Sequence, residues 1–587
     1  MEKKISSDAR VATATVVNDS IDNVEVQFEE THAERAAALL ASHHHGGALA
    51  DASIPTPQDL VTLRRVPGRM PLKLFTVAFV ELCERFSYYG TTIVFTNFIQ
   101  HPLPFGSSTG ADNVQPGALG MGQRVSTSVT TANQFWQCCS PLLGAWIADK
   151  YWGRYKTICV ALLINIVGHL ILTMSAIPPV ITNQAGSISC LVIGIVVLGI
   201  GTGGFKPNIN PLLVEQLGEQ HLHVRILKSG ERVIVDPAIT IERAYNWFYL
   251  FINIESITGQ VTMVYAEKYV GFWLSFTLPT FMLCICPLVM LWGRKRYQRR
   301  DPGGSTLGLA FKTFALAQRG RWSLNPWSTI LPENRPVWMT FDDAWVDELR
   351  RGFKACGVFM RYPLFWLCYI QLSNNLVSQA AVLTRNGVPN DIILVLKPIS
   401  LILFIIICDQ GLYPTLRKLN VRFTPIKKIT CGFYAGSASM LWSAVVQYYI
   451  YRKSECGWYA SGKTCAPAPI SVWVQTGSYV FMALAEVFGS ITSLEYAYSK
   501  APKNMRSMVQ AVGLFMTAFA AAIGQAFVGL SADPLLVWNF GLISILAFIG
   551  GTGFWFQFRN LDKEEDELNE LPEGFVGNQG DNVEKTA

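Results

Sequence analysis

Charged side chains inside apolar segments are the residues of this sequence that could do chemistry. The stretch "VELCERFSYYG" (80–90) carries Glu81, Glu84 and Arg85 in little more than one helical turn. A charge near the centre of a bilayer costs at least about 2.5–3.5 kcal/mol, so such groups are rare and usually functional. Glu81 and Arg85 have the i,i+4 spacing of an ion pair. Glu84 is then left as a candidate proton carrier, because low dielectric and a nearby cation can shift the pKa of a carboxyl group either way.

Two more ionisable residues lie in other apolar segments. Lys206 follows the glycine-rich run of "GIGTGGFKPNINP" and precedes two prolines. Backbone freed by Gly and Pro in a membrane helix must face protein or a water-filled cavity, which favours Lys206 as a partner of Glu84 over a snorkelling residue. Glu486 lies in the middle of "MALAEVFGSITS". An acid and base on one wall and an acid on the other suit a solute with one positive and one negative end.

The elements that must position these residues are membrane-spanning helices. Of the 587 residues, 50% are hydrophobic and 15% are charged, against about 25% charged in soluble domains. Apolar blocks of about twenty residues match the hydrocarbon thickness when helical. The sequence therefore predicts an all-α membrane protein with twelve transmembrane helices in two six-helix bundles and a site between them. The predicted spans are 73–100, 128–148, 157–176, 187–210, 245–268, 271–292, 362–383, 391–412, 428–450, 471–499, 506–530 and 535–558.

Charge placement predicts the orientation and the domain limits. Lys and Arg concentrate in the segment before span one and in alternate connections, so both termini are expected in the cytosol. The predicted domains are a disordered cytosolic tail (1–70), the N-terminal bundle (71–292), a cytosolic loop with an amphipathic helix (293–361), the C-terminal bundle (362–558) and an acidic cytosolic tail (559–587). Cys456 and Cys465 then face outside, where either a disulfide or two free thiols would be compatible with the sequence.

Several functional classes are disfavoured. The net charge of +6 sits in clusters beside apolar blocks, such as "GRKRYQRR" at 293–300, which is the pattern of membrane topology and not of nucleic-acid binding. There is no HExxH, no CxxC pair and no Ser, His and Asp constellation on matching faces, so an enzyme, a catalytic residue, a metal site or a cofactor beyond the proton is not expected. His169, alone on an apolar helix, is interpreted as a packed residue.

Five ordered motifs resemble the proton-coupled oligopeptide transporter family of the major facilitator superfamily, and its fungal branch in particular. "ELCERFSYYG" is similar to the first-helix signature ExxERFxYYG at every fixed position. The others are "GAWIADKYWGRYKT" (144–157), "GTGGFKPN", "FYLFINIES" (248–256) and "EYAYSKAP" (495–502). The resemblance implies proton-driven import of di- and tripeptides by alternating access across the plasma membrane.

The resemblance also implies roles for individual residues. Arg85 and Lys206 would attract the peptide carboxylate, and Glu486 would meet the amino end. The implied proton-coupling residues are Glu81, Glu84, Arg85 and Lys206. The implied substrate-binding residues are Arg85, Tyr88, Tyr89, Lys206, Asn253 and Glu486, with Glu255 and Lys397 added because they stand in the expected pocket.

Three positions of that pocket depart from the family pattern. Glu255 replaces a usual Gly, Lys397 a usual Asn and Cys138 a usual Tyr. An unpaired charge there would be costly, so the sequence suggests that Glu255 and Lys397 pair across the bundles. The alternative is a pocket for an unusual substrate. Two other functions stay open: proton-coupled transport of another small zwitterionic or anionic solute, and a peptide sensor that does not transport.

Overall fold

The computed structural model describes residues 55–68, 70–217, 222–227, 230–299, 352–353, 355–419, 423–462, 465–493, 496 and 506–559. Within these ranges the chain is predominantly helical. The predictions for 1–54, for most of the 293–361 loop and for the tail beyond 559 lie outside the described residues.

Among the described residues of the N-terminal bundle, six helical elements each overlap a predicted span. Helix α1 is interrupted at Val94, where the helical hydrogen bonding shifts, and continues as a short second piece. Helix α2 ends in a π turn, Ala148–Trp152, that leads into Gly153 at φ 72°. The elements are α1 (Leu72–Ile93 and Phe95–Gln100), α2 (Gly122–Ile147), α3 (Arg154–Ala176), α4 (Gln184–Glu215), α5 (Pro237–Tyr269) and α6 (Phe272–Gly293).

Six further elements of the C-terminal bundle are described, and three of them depart from a regular α-helix: α8 passes into a π turn, Cys408–Leu412, and α7 and α10 are also interrupted. In α7 the Asn374 side chain accepts a hydrogen bond from the Asn375 backbone at 2.6 Å, which caps the second piece. In α10 an ordinary helix passes into a π turn, Glu486–Ile491. The elements are α7 (Tyr362–Ile370 and Asn375–Ala381), α8 (Leu396–Ile407), α9 (Pro425–Lys453), α10 (Thr476–Ala485), α11 (Arg506–Ala526) and α12 (Leu536–Phe558).

Length and hydropathy alone mark six membrane-crossing helices among the described residues. These are Arg154–Ala176, Gln184–Glu215, Phe272–Gly293, Ile392–Leu416, Pro425–Lys453 and Leu536–Phe558. Helix α1 carries Lys73 together with the charged cluster at its centre, and α7 is split into two short pieces. Helices α1 and α7 are thus absent from this set because of charge and a break, features that transporters require of helices that line a site.

Contacts between the bundles concentrate at one end of the molecule, which we call the closed end. Here the first bundle contributes the end of α1, the start of α2 and the end of α5. Gln100 accepts a hydrogen bond from Ser378 at 2.5 Å, and Gln115 accepts one from Arg385 at 2.7 Å. Asn375 Oδ1 accepts from Thr127 Oγ1 at 3.2 Å. The two bundles are therefore joined by neutral and charged hydrogen bonds at this end.

A second, smaller unit is formed by the described residues of 55–68 and 222–239. It contains strands β1 (Arg65–Val66), β2 (His223–Ile226) and β3 (Arg232–Val235). Strand β3 pairs in parallel with β1 and antiparallel with β2. Thr56 and Asp59 form a capping box on the helix Pro57–Thr62. The prediction of a disordered tail up to residue 70 is therefore wrong for 55–68, because these residues gain a cap and a strand partner.

Candidate substrate and proton site

The charged face of α1 is a buried triad. Arg85 forms an ion pair with Glu84, its Nη2 lying 2.5 Å from Glu84 Oε2, and its Nε donates to the same oxygen at 2.7 Å. Its Nε also lies 3.6 Å from Glu81 Oε1. All three side chains are buried. The i,i+4 pair predicted from spacing is present but is the longer contact, and Glu84 is held by Arg85 more closely than Glu81 is.

Two tyrosines one turn further along α1 continue this face. The Arg85 guanidinium lies 4.9 Å from the centre of the Tyr88 ring, a cation–π contact. Tyr88 and Tyr89 meet edge to face with 5.3 Å between ring centres. Tyr89 interacts electrostatically with Lys397 and Glu486 of the second bundle. Tyr89 therefore connects the charges of the two walls.

Lys206 is brought toward the α1 triad by close packing of α4 against α2. A Cβ on Gly144 would lie 2.1 Å from the carbonyl oxygen of Gly203, so both helices need glycine at this crossing. The Lys206 side chain stays solvent-accessible. It interacts electrostatically with Arg85 and the two carboxylates of α1. Within the described part of the chain it forms no ion pair, so Arg85 and not Lys206 is the contact partner of Glu84.

The second wall carries its own ion pair, between Lys397 and Glu486. Lys397 Nζ lies 2.9 Å from Glu486 Oε2. It also donates to the Tyr369 hydroxyl at 2.5 Å and lies 4.6 Å from the centre of that ring. Lys397 and Glu486 are each about 15% exposed at the side chain. Glu486, expected to stand alone, therefore has a cation beside it.

The predicted pairing of Glu255 with Lys397 is wrong. Both carboxyl oxygens of Glu255 are buried without a hydrogen-bond partner among the described residues. Its strongest electrostatic neighbours are the charged residues of α1. The segment just before α8 does meet α5, but at the closed end, where Asp391 lies beside Glu267. Glu255 lies twelve residues from Glu267, about 18 Å along α5. Lys397 follows Asp391 by six residues, four of them in the 3-10 turn Ile392–Val395, a rise of about 11 Å.

A polar pocket inside the N-terminal bundle was missed by sequence reasoning. Glu84 and Tyr88 line it from α1. The other polar residues lining it are Thr91, Thr92, Asn133, Gln137, Asn165, His169 and Thr202. His169, interpreted as a packed residue, is buried but faces this pocket with Nδ1 lacking a described partner. Asn133 and Asn165 within apolar spans were the signal that could have predicted it, because amides in a membrane helix need partners.

Comparison with known proteins decides the family. The sequence profile described as "POT family" matches residues 155–543. This chain belongs to the POT family. The POT chain is 40% identical over 522 residues to the "Probable peptide transporter ptr2" of Schizosaccharomyces pombe, covering 88% of this chain and 82% of that protein. It is 38% identical over 525 residues to the "Peptide transporter PTR_B" of Candidozyma auris, with 88% and 87% covered.

Solved structures of POT proteins share the fold. The crystal structure of the POT family transporter PepTSo superposes with a TM-score of 0.66, covering 84% of this chain and 99% of that one at 20% identity. The predicted fold class, an all-α membrane transporter, is therefore confirmed. The prediction that the chain is not an enzyme agrees with its membership of a transporter family.

Proposed function

We propose that this chain is a proton-coupled symporter that imports di- and tripeptides by alternating access. The observation that carries the proposal is the placement of opposite charges on facing walls. The Arg85 triad lies on α1, the Lys397–Glu486 pair lies on α8 and α10, and Tyr89 interacts with both. Relatives named as peptide transporters cover most of the chain at 38–40% identity.

The site would bind a peptide by its two ends. Arg85 and Lys206 attract the carboxylate, and Glu486 receives the amino group, which has to displace Lys397. Tyr88, Tyr89 and Asn253 line the space between, with Glu255 behind the α1 triad. A proton on Glu84 or Glu81 would neutralise one partner of Arg85 and free the guanidinium for the peptide carboxylate. In this scheme the proton is the coupling ion and no other cofactor takes part.

Location and orientation are part of the proposal. The protein is placed in the plasma membrane, and the positive-inside distribution supports an orientation with both termini in the cytosol. The closed end would then face outside. Cys456 and Cys465, whose Cα atoms are 6.0 Å apart, lie in the loop after α9 on that side and would form a disulfide there.

A second candidate is proton-coupled transport of another small zwitterionic or anionic solute, favoured by Lys397. An added cation beside Glu486 weakens the site for an amino group and strengthens it for an anion. A sensor that binds peptide without transport is less well supported, because the intact Glu81, Glu84 and Arg85 triad would have no use.

The test is uptake of radiolabelled dialanine by cells expressing the protein, at external pH 5.5 and pH 8, beside Glu84→Gln. The proposal expects faster uptake at pH 5.5 and loss of this uptake in Glu84→Gln, with equal amounts of both proteins at the cell surface. No uptake at either pH by surface-located wild-type protein would contradict peptide import. Uptake that is equal at both pH values would contradict proton coupling alone.

A further inference from the structure

Two acidic side chains meet inside the closed end. Glu267, near the end of α5, and Asp391, just before α8, are both 0% exposed. Their carboxyl groups lie within hydrogen-bonding reach of each other. We call these two residues the acid pair. One belongs to each bundle, so their contact crosses the interface that alternating access must open.

A pair of asparagines surrounds this contact. Asn97 Nδ2 donates to Asn390 Oδ1 at 3.0 Å, and Asn390 Nδ2 donates to Asn97 Oδ1 at 2.8 Å. Asn97 Nδ2 also donates to Glu267 Oε1 at 2.7 Å. Both asparagines are 0% exposed. The second oxygen of Glu267 and both carboxyl oxygens of Asp391 have no described donor, so these oxygens are left for a hydrogen bond between the two carboxyl groups.

No cation contacts the acid pair directly in the described part of the chain. Arg385 interacts electrostatically with Asp391 but donates its hydrogen bond to Gln115. The Lys268 ammonium donates to the Gly387 carbonyl. Asp112 faces Arg385, and the buried Tyr479 of α10 faces Asp391. Burial and the nearby Arg385 lower the pKa of His101 to about 4, so this histidine supplies no charge near neutral pH.

Two buried carboxyl groups in contact cannot both be ionised at low cost. Like charges about 3 Å apart in low dielectric repel strongly, and such pairs share one proton. With one proton, the contact becomes a charge-assisted hydrogen bond, which is among the stronger protein hydrogen bonds. The proton adds one O–H bond to one carboxyl group and leaves the other as the acceptor.

We propose that Glu267 and Asp391 form a second proton-binding site, separate from the α1 triad, whose shared proton holds the two bundles together at the closed end. Loss of the proton leaves two carboxylates that repel and separates the asparagine pair. If the closed end faces the outside of the cell, a low external pH protonates the acid pair. It then favours the conformation in which this end is closed above a bound substrate. The role in transport rests on the proposed function, whereas the shared proton itself does not.

Infrared spectroscopy of the purified full-length protein in lipid nanodiscs tests the shared proton. The carbonyl stretch of a protonated carboxyl group is expected in the wild type at pH 7. Glu267→Gln and Asp391→Asn should each remove the same single band, and the double variant should remove no more than that. Glu255→Gln serves as the control, because any band it removes should be a different one. Spectra in which neither single variant removes a band would overturn the proposal.

A distance measurement tests the effect on the closed end. Spin labels are placed at the exposed positions Thr182 and Arg452 in a variant whose free cysteines are replaced. The protein with the wild-type acid pair should give a longer distance between the two labels at pH 8.5 than at pH 5.5. Glu267→Gln and Asp391→Asn mimic the protonated pair and should keep the short distance at both. In His101→Gln the label distance should still change with pH. If the distance no longer changes in His101→Gln but still changes in the acid-pair variants, the assignment is overturned.

These outcomes stay separate from the test of the proposed function. The infrared band and the label distance are read without substrate, so an absence of dialanine uptake would leave both interpretable. Conversely, the loss of uptake in Glu84→Gln would support proton coupling whether or not the acid pair shares a proton.

Discussion

Lys397 of α8 and Glu486 of α10 form an ion pair at 2.9 Å, with the Tyr369 hydroxyl as the second contact of the lysine. The acid expected to bind a peptide's amino group is therefore already neutralised. A substrate amino group has to compete with an internal cation, so this site should discriminate among substrates by what they place there.

The first prediction concerns this competition. Lys397→Gln removes the internal cation and should lower the KM for dialanine by about tenfold or more, since a buried ionic contact is worth at least about 1.4 kcal/mol. Acetylated dialanine, which has no amino cation, should not gain. Competition of both compounds against labelled peptide measures the difference. Equal gains for the two compounds would show that Lys397 does not compete with the amino group.

Glu486→Gln is the matched variant for the same pair. It leaves Lys397 buried without its carboxylate, and breaking a buried pair in this way costs about 3–5 kcal/mol. We expect a lower unfolding temperature and weak dialanine uptake, with stability partly restored in the double variant Glu486→Gln, Lys397→Gln. Thermal unfolding followed by fluorescence measures both. A double variant no more stable than Glu486→Gln would show that the pair does not couple.

Glu255 should behave independently of Lys397. The two residues lie at different depths, and sites without shared contacts have additive effects to within about 0.5 kcal/mol. Glu255→Gln and Lys397→Gln should therefore change stability additively in the double variant. If the double variant were more stable than either single variant, the result would instead support the pairing of Glu255 with Lys397 that the sequence suggested.

Crowding at the α2–α4 crossing gives a prediction about Lys206. Gly144→Ala places a methyl group 2.1 Å from the Gly203 carbonyl oxygen. Overpacking of this kind costs about 1–3 kcal/mol, and it should also reduce uptake, because α4 carries Lys206. Gly541→Ala on α12 is the control, since no atom lies within 4 Å of the added methyl. It should be neutral or stabilising by up to about 1 kcal/mol.

The buried His101 should make the stability of the folded protein depend on pH. Its pKa is lowered to about 4 by burial and by Arg385, against about 6.5 in the unfolded chain. The unfolded state therefore binds the proton first, and stability falls as the pH drops from about 6.5 toward 4. His101→Gln should remove up to about 2 kcal/mol of this loss between pH 6.5 and pH 5. Thermal unfolding across this range measures it; an unchanged pH slope would contradict the assignment.

The loop after α9 gives a prediction about redox state. A disulfide between Cys456 and Cys465 closes a loop of about ten residues and should contribute roughly 3 kcal/mol in the chain-entropy description. Cys456→Ser should lower the unfolding temperature, and reducing agent should lower that of the wild type but not of the variant. Equal sensitivity of both proteins to reducing agent would contradict the disulfide.

The sequence predicted the helices well because their positions follow from apolar length, and each predicted span overlaps a helix. Arg85, Glu84, Lys397 and Glu486, which the sequence analysis named as site residues, lie in ion pairs. The sequence did not predict their partners. Arg85 prefers its neighbour Glu84 through a side-chain conformation that spacing does not determine, and Lys397 turns to Glu486 because α8 and α10 pack side by side in one bundle. Glu255 and Lys397 lie at different depths in the membrane. The order of the helices along the sequence does not predict the depth at which a residue lies.

The π turn of α10 begins at Glu486 itself. A π turn holds one residue more than an α turn. If the turn tightened to ordinary α-helix, Glu486 would rotate by about 100° relative to the segment beyond Ile491. The direction in which Glu486 points is therefore coupled to the winding of the turn Glu486–Ile491. A change in that winding that turns Glu486 would carry it away from Lys397 without any movement of α8.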